Sequence, residues 1–178
     1  MTLSPFISSA SIQRVFRTFL ALALIAFVAS CSSGPRAPLP VIPVPLSIFI
    51  QANDKINPDP KGRPSPVKIV VYELKSPTAF ESADFFSISQ KDQATLGGDL
   101  LAKEEFFLQP GTSKTLTRKG NAETNAIGVF VEFRDIDQTV WRAITLVPPA
   151  QQADPRTVLK PKSYHVLLNQ KGIKIFPL

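Results

Sequence analysis

The β character of this 178-residue chain is clearest in Ile127-Gly128-Val129-Phe130-Val131-Glu132-Phe133. Ile127, Val129, Val131 and Phe133 recur at every second position, and a repeat of two residues is the periodicity of a β-strand. β-Branched and aromatic residues, which fit a pleated surface, fill most of the stretch. We therefore predict a strand over residues 127–133.

Seven further segments have the same strand character. They are residues 46–51, 67–74, 105–108, 114–117, 140–146, 164–168 and 173–176. Asn169-Gln170-Lys171-Gly172 joins the last two as a hairpin, and prolines lie between many of the others. Eight short strands in about 130 residues are typical of two sheets packed face to face. The prediction is a mainly β, two-sheet sandwich over residues 46–178.

One segment, residues 80–96, interrupts the strand pattern. Phe85 and Ile88 lie three residues apart, which suits a helical turn. Ser89, followed three residues later by Asp92, resembles a helix start, and Gly97-Gly98 a stop. We predict a short helical segment that packs against one of the sheets.

The N-terminal residues 1–30 have the pattern of an export signal. Arg14 and Arg17 precede the apolar run 19–29, which is too short for the roughly 20 residues that cross a bilayer. Val28-Ala29-Ser30-Cys31 then resembles a bacterial lipobox, which implies that Cys31 is acylated and begins the mature protein. By resemblance to the usual sorting rule, Ser32 favours the outer membrane. The alternative is an ordinary signal peptide with a chance cysteine after it.

A proline-rich tether is predicted over residues 31–45. Five prolines lie between Ser32 and Pro45. Proline fixes φ and removes an amide donor, so we expect an extended, semi-rigid segment of about 3.1 Å per residue. The folded domain is then expected to lie close to the membrane, on its periplasmic side.

Composition excludes several kinds of function. Without residues 1–30, whose charged side chains are Arg14 and Arg17, the chain has 18 Lys+Arg against 14 Asp+Glu, a surplus too small to require nucleic acid as a partner. Its single Cys and single His allow neither an intrachain disulfide nor a Cys/His metal cluster. We expect no metal, no cofactor other than the lipid on Cys31, and no small-molecule substrate.

Candidate catalytic residues are few, and we predict that the chain is not an enzyme. His165 lies in an apolar strand without a second histidine, which favours a structural role. Asp135 and Asp137 favour a turn over a calcium site, and Glu104 and Glu105 should point to opposite faces of a strand. An alternative function is a lipoprotein carrier or pilotin with an apolar cavity, although the aromatic residues that could line it more often fill a core. These are Phe85, Phe86, Phe106, Phe107, Phe130 and Trp141.

The connection between the first two predicted strands, residues 53–66, is unusually long. It holds four prolines and one glycine in fourteen residues. Long loops in compact domains are often functional, and prolines reduce the entropy lost on docking. On composition alone, a partner-binding loop and a plain crossover between sheets are equally supported.

Several motifs together resemble the TssJ family, the outer-membrane lipoproteins of the type VI secretion system. After the lipobox come Asn57-Pro58-Asp59, Gly62-Arg63-Pro64-Ser65-Pro66 and Val70-Val71-Tyr72-Glu73-Leu74-Lys75. Phe80, Ala83-Asp84-Phe85, Leu96-Gly97-Gly98-Asp99-Leu100-Leu101 and Pro110-Gly111 follow in the same order. The resemblance implies a transthyretin-like sandwich of eight strands with an added helical segment.

The resemblance also implies a partner. TssJ proteins bind the periplasmic domain of TssM, within the TssJ–TssL–TssM complex, through the loop after the first strand. Here that loop corresponds to residues 53–65. The residues expected to bind are Asn57, Pro58, Asp59, Lys61 and Arg63. Deleting residues 55–64 is expected to abolish this binding and to leave the fold intact.

Overall fold

The computed structural model describes residues 38–154 and 156–178, which form ten strands and a short helical region. The predicted signal peptide and Cys31 lie outside the described residues. The strands are β1 (Val41–Ile42), β2 (Leu46–Ala52), β3 (Val67–Leu74), β4 (Leu100–Leu108), β5 (Ser113–Arg118), β6 (Ala126–Glu132), β7 (Arg142–Leu146), β8 (Gln151–Gln152), β9 (Lys162–Asn169) and β10 (Gly172–Pro177). The helices are α1 (Thr78–Ser82), α2 (Phe85–Leu96) and a 3₁₀ turn (Gly97–Asp99).

The eight longer strands form two four-stranded sheets, which confirms the predicted sandwich. Sheet I has the order β10-β9-β2-β5, and sheet II has the order β4-β3-β6-β7. Within both sheets the neighbouring strands are antiparallel, except that β2 and β9 run parallel. The two-residue strands β1 and β8 pair with each other, apart from both sheets.

Two apolar cores account for the packing. The larger lies between the sheets, where alternate side chains such as Ile48, Ile69 and Val129 are completely buried. The smaller lies between the outer face of sheet II and the helices, and includes Tyr72 and Phe80. Because sheet II is covered on both faces, its strand β6 is apolar at nearly every position rather than at alternate ones.

The helical segment is confirmed, but its predicted start is wrong. The Asp84 carboxylate caps α2 by accepting a hydrogen bond from the Ser87 amide at 3.0 Å. Ser89 lies inside the helix and donates instead to Glu132. The predicted stop is correct, because α2 ends at Leu96 and is followed by Gly97, whose φ of 51° is one that glycine adopts without a Cβ clash.

Several strand boundaries also differ from the prediction. Strand β4 begins five residues earlier, at Leu100, and β7 begins at Arg142 rather than at residue 140. Val140 forms an isolated bridge with Gly172 instead. The compact unit begins at Leu39, so residues 39–45 belong to it through the pairing of β1 with β8.

Candidate interaction site

The loop 53–66 is tied to the inter-sheet core through Ile56. This side chain is completely buried and belongs to the same cluster as the strand residues of both sheets. Its carbonyl accepts a hydrogen bond from the Ser65 amide at 3.2 Å, which draws the two arms of the loop together. Ile56 is the one large apolar residue of this polar loop, and this was the sequence signal for an ordered loop that we missed.

Asn57 is a scaffold residue of the loop and not an exposed anchor. Its side chain is buried, and its φ of 47° is in the left-handed region that asparagine tolerates better than most residues. The amide Nδ2 donates to the Pro66 carbonyl at 2.7 Å, and Oδ1 accepts from the Arg134 amide at 2.8 Å. Asn57 therefore joins the start of the loop to its end and to the β6–β7 connection.

Asp59 and Arg63 close the tip of the loop on itself. Asp59 Oδ1 accepts hydrogen bonds from the amides of Lys61 and Arg63, both at 2.9 Å. Asp59 Oδ2 accepts from Arg63 Nε at 2.7 Å and lies 2.7 Å from Nη2, so two guanidinium nitrogens contact one carboxylate oxygen in a charge-assisted pair. Hydrogen bonds from the Arg63 amide and guanidinium lower the pKa of Asp59 below its usual 3.8. The conformation of the tip is therefore stabilised by the ion pair and hydrogen bonds between Asp59 and Arg63.

The outer surface of the loop consists mainly of prolines and cationic side chains. Pro58, Lys61 and Arg63 are exposed, and Arg63 retains 73% of its side-chain accessibility despite its ion pair. A notch of about 70 Å³ beside Pro58 is shared with the β6–β7 and β9–β10 connections. It is lined by Asn57, Pro58, Phe133, Asp135, Gln138, Thr139 and Gln170. Of the five residues predicted to bind a partner, the structure thus leaves three exposed and gives Asn57 and Asp59 internal bonds.

The other candidate residues have structural contacts. Asp135 accepts a hydrogen bond from the Gln138 amide, as a turn residue does. Glu104 pairs with Lys114 and Arg118, whereas Glu105 lies near Lys68, so the two carboxylates do point to different faces. His165 stacks at 5.1 Å on Phe49, and its buried Nε2 has no hydrogen-bond partner among the described residues.

The aromatic residues divide between core and surface. Phe85, Phe130 and Trp141 pack on one another with centroids 5.2–5.8 Å apart in the core beneath the helices. The prediction that such residues fill the core is wrong for Phe86 and Phe107, which are 58% and 71% exposed. Phe86 lies on the outside of α2, and Phe107 is on the edge strand β4.

Within residues 38–154 and 156–178, no three of the side chains Asp, Glu, His and Cys come together as a metal site would require. In that same part of the chain, no helix has the length and apolar character needed to span a bilayer.

The geometry defines a transthyretin-like β-sandwich that presents one long, internally bonded loop. Residues 45–171 match the model of the type VI secretion lipoproteins, a family described by the names VasD, EvfM and TssJ. This chain belongs to that family. Comparison with curated proteins finds no match.

Solved structures support the assignment. The chain is 31% identical to the type VI lipoprotein TssJ1 of Pseudomonas aeruginosa, with a TM-score of 0.68 over 76% of this chain and 97% of that one. It is 29% identical to Lip of Serratia marcescens, described as a membrane-bound component of the system, with a TM-score of 0.65 over 77% and 97%. A chain of the structure described as the TssM C-terminal domain from EAEC is 26% identical, with a TM-score of 0.55 over 75% and 98%.

Proposed function

We propose that this lipoprotein is anchored in the outer membrane through Cys31 and binds the periplasmic domain of TssM, within the TssJ–TssL–TssM complex. Its role is then to link two components by binding, without catalysis. The observation that carries the proposal is the loop 53–66, which is held in one conformation and exposes basic and proline side chains. The likeness to a chain in a structure of the TssM C-terminal domain supports the choice of partner.

The position of the loop suits a link between a membrane and a partner. Strand β2 begins at Leu46, next to the predicted tether, and runs to Ala52, where the loop starts. A strand of seven residues spans about 20 Å at roughly 3.3 Å per residue. The loop therefore lies at the opposite end of the sandwich from the start of β2 at Leu46.

Preorganisation is the physical basis of the proposed binding. Ile56, Asn57 and the Asp59–Arg63 pair fix the loop before any partner arrives. A loop that is already ordered loses less conformational entropy on binding than a flexible one. Pro58, Lys61 and Arg63 are the predicted binding residues whose side chains are exposed to a partner, and arginine is enriched at protein interfaces.

The structure changes the design of the binding test. Deletion of residues 55–64 would remove the buried Ile56 and Asn57, so we expect it to destabilise the fold as well as to remove the proposed contact. Substitution of Lys61→Glu at the exposed tip is a cleaner change. Lys174→Glu, at an exposed position on β10, reverses the same charge away from the loop and is the matched control.

Binding is measured by biolayer interferometry against the periplasmic domain of TssM from the same genome. We expect Lys61→Glu to weaken binding about tenfold, because charge reversal at an interface adds repulsion and unpaired charge. Lys174→Glu should bind like the wild type. Equal affinities for all three proteins would move the contact away from the loop, and no binding by a folded wild type would contradict the proposed partner.

Anchoring is tested separately from partner binding. The Cys31→Ser variant, expressed with its signal, lacks the sulfur that would carry the lipid. We expect the wild type in outer-membrane fractions and the variant absent from them. Recovery of the two proteins in the same fraction would contradict a lipid anchor at Cys31.

A further inference from the structure

The end of the sandwich opposite the loop carries an open, mainly apolar groove. We call it the tether end, defined by Leu46, Arg118 and Lys162, which are register partners in sheet I. The groove has a volume of about 530 Å³, and Val158 at its edge is 93% exposed. It is lined by Ile42, Pro43, Pro45, Thr117, Arg118, Lys119, Thr157, Val158 and Leu159.

Other exposed apolar side chains lie at the same end of the sandwich. Leu39 and Val41, on the segment that leads into β2, are 52% and 53% exposed. Leu178 is 78% exposed, and its amide bonds the Ser163 carbonyl, which places it beside the start of β9. Exposed apolar clusters with a polar rim are typical of surfaces that contact another protein or a membrane.

The rim of the groove is cationic. Lys119 lines the groove, Lys160 follows the lining residue Leu159, and Lys162 begins β9. None of these three lysines takes part in an ion pair among the described residues. The acids of the adjacent loops are already paired, as Asp154 contacts Arg156 at 3.3 Å and Glu123 contacts Lys75 at 2.7 Å.

Chain length limits what this end can reach. Seven residues lie between Cys31 and Leu39, where the compact unit begins, so eight residue steps join the two positions. Even a fully extended segment of that length spans at most about 29 Å. A domain attached to a bilayer at Cys31 therefore keeps its tether end within a short distance of the lipid headgroups.

We infer that the tether end docks on the surface of the bilayer, with its lysines on anionic lipid phosphates and its exposed apolar side chains in the headgroup layer. The inference rests on the proposed lipid attachment at Cys31. Basic residues close to an anionic surface are attracted to it, and apolar side chains add to the affinity by entering the interface. Docking of this kind orients the sandwich and points the loop 53–66 away from the membrane.

The test uses the full-length lipidated protein in vesicles of phosphatidylethanolamine with phosphatidylglycerol as the minor component. The chain has one cysteine, which the lipid would occupy, so Val158→Cys supplies a single free thiol for a fluorescent label. Lys61→Cys places the same label in the loop and is the matched control. Quenching by a nitroxide on the lipid headgroup reports the distance of each label from the surface.

We expect about threefold stronger quenching at position 158 than at position 61, and a reduction to the level of position 61 when Lys119, Lys160 and Lys162 are all changed to Glu. Equal quenching at the two positions, or quenching unaffected by the charge reversal, would overturn the inference.

Flotation of the vesicles separates the two proposals. Wild-type protein that fails to float with them contradicts the lipid anchor, whereas protein that floats with equal quenching contradicts only the docking. Loss of TssM binding in the triple variant, with quenching unchanged, would make this end a protein interface instead.

Discussion

The two ends of the sandwich are ordered in different ways. At the loop end, a buried apolar residue and a buried amide hold a fourteen-residue connection in place through contacts with the core and with backbone groups. At the tether end, charged side chains join the sheets. Arg118 of sheet I lies 3.8 Å from Glu73 and 3.2 Å from Glu104, both on sheet II.

This difference suits the two ends to different kinds of contact. Hydrogen bonds of fixed geometry leave the loop one conformation, which suits recognition of a shaped partner. The tether end has a wide groove, and the segment before β2 is held by the pairing of two short strands, by the buried Val44 and by a hydrogen bond from the Lys162 amide to the Pro45 carbonyl at 2.9 Å. Gly120 adds one close contact, because a Cβ at its φ of 76° would collide with the Val44 carbonyl.

The largest effect is expected from Ile56→Ala at the loop end. Removing a completely buried isoleucine side chain leaves a cavity, and such changes cost about 2–5 kcal/mol. The free energy of unfolding, measured by urea titration, should fall by that amount. Lys55→Ala, at the exposed neighbouring position, should change it by less than about 0.5 kcal/mol. A small effect of Ile56→Ala would mean that the loop is not anchored in the core.

The next largest effect is expected at the tether end from Arg118→Met. The Glu73 carboxylate is buried, and after this change the hydrogen bond from the Thr124 hydroxyl at 3.1 Å would be its one remaining side-chain partner among the described residues. Breaking a buried pair costs about 3–5 kcal/mol, and we expect about 2 because Arg118 is 21% exposed. The double variant Glu73→Met/Arg118→Met should recover most of the loss in a double-mutant cycle. Simple additivity of the two changes would show that the charges do not act together.

Asn57→Gly separates backbone conformation from hydrogen bonding in the loop. Glycine accepts the positive φ but removes the bonds to Pro66 and Arg134, so we expect a loss of about 1–2 kcal/mol. Asn57→Ala removes the same bonds and also strains the backbone, so its loss should be larger. Equal losses by thermal or urea unfolding would mean that the left-handed conformation carries no cost here.

Shortening the chain to begin at Pro43 tests how firmly the tether segment is held. The change removes the pairing of Val41 and Ile42 with Gln152 and Gln151. A two-stranded pair is marginally stable, so we expect a loss of less than about 1 kcal/mol in the free energy of unfolding. A larger loss would mean that both ends of the sandwich are equally firm.

The smallest effect is a local one and depends on pH. The pKa of Asp59 is lowered in the folded protein, so its contribution is present above the usual value of 3.8 and is lost as pH falls through the lower folded value. The amide NMR signals of Lys61 and Arg63 should therefore shift with a midpoint below 3.8 while the sandwich stays folded. Asp59→Asn should abolish this titration. A midpoint at or above the usual value would mean that the Arg63 pair is absent in solution.

Alternation and turn residues were sufficient to predict most of the architecture. They located the eight longer strands because each strand buries one or both of its faces. The buried positions are apolar, and this pattern is visible in the sequence. They missed β1 and β8, since two residues cannot show a period, and they placed the start of α2 at Ser89 because Ser-x-x-Asp resembles a capping sequence. The true cap is Asp84, five residues earlier, whose side chain also accepts a hydrogen bond from a backbone amide of the first turn.

The candidate site was predictable in outline only. Proline content drew attention to residues 53–66, but it did not separate the side chains that face solvent from those that build the loop. Asn57 looked like an anchor because polar loop residues are usually exposed, and only its contacts with residues 66 and 134 reveal its role. Such contacts join positions far apart in sequence, so no local pattern encodes them.

The direction of β2 determines how a pulling force would pass through the domain. Under the proposed function, a pull between the membrane and the partner enters at Leu46 and leaves at Ala52, the two ends of one strand. A strand rises about 3.3 Å per residue, close to the limit of an extended chain, so it has almost no slack to give up. The covalent backbone of β2 then carries the load, and the hydrogen bonds to β5 and β9 need not break for force to pass through the domain.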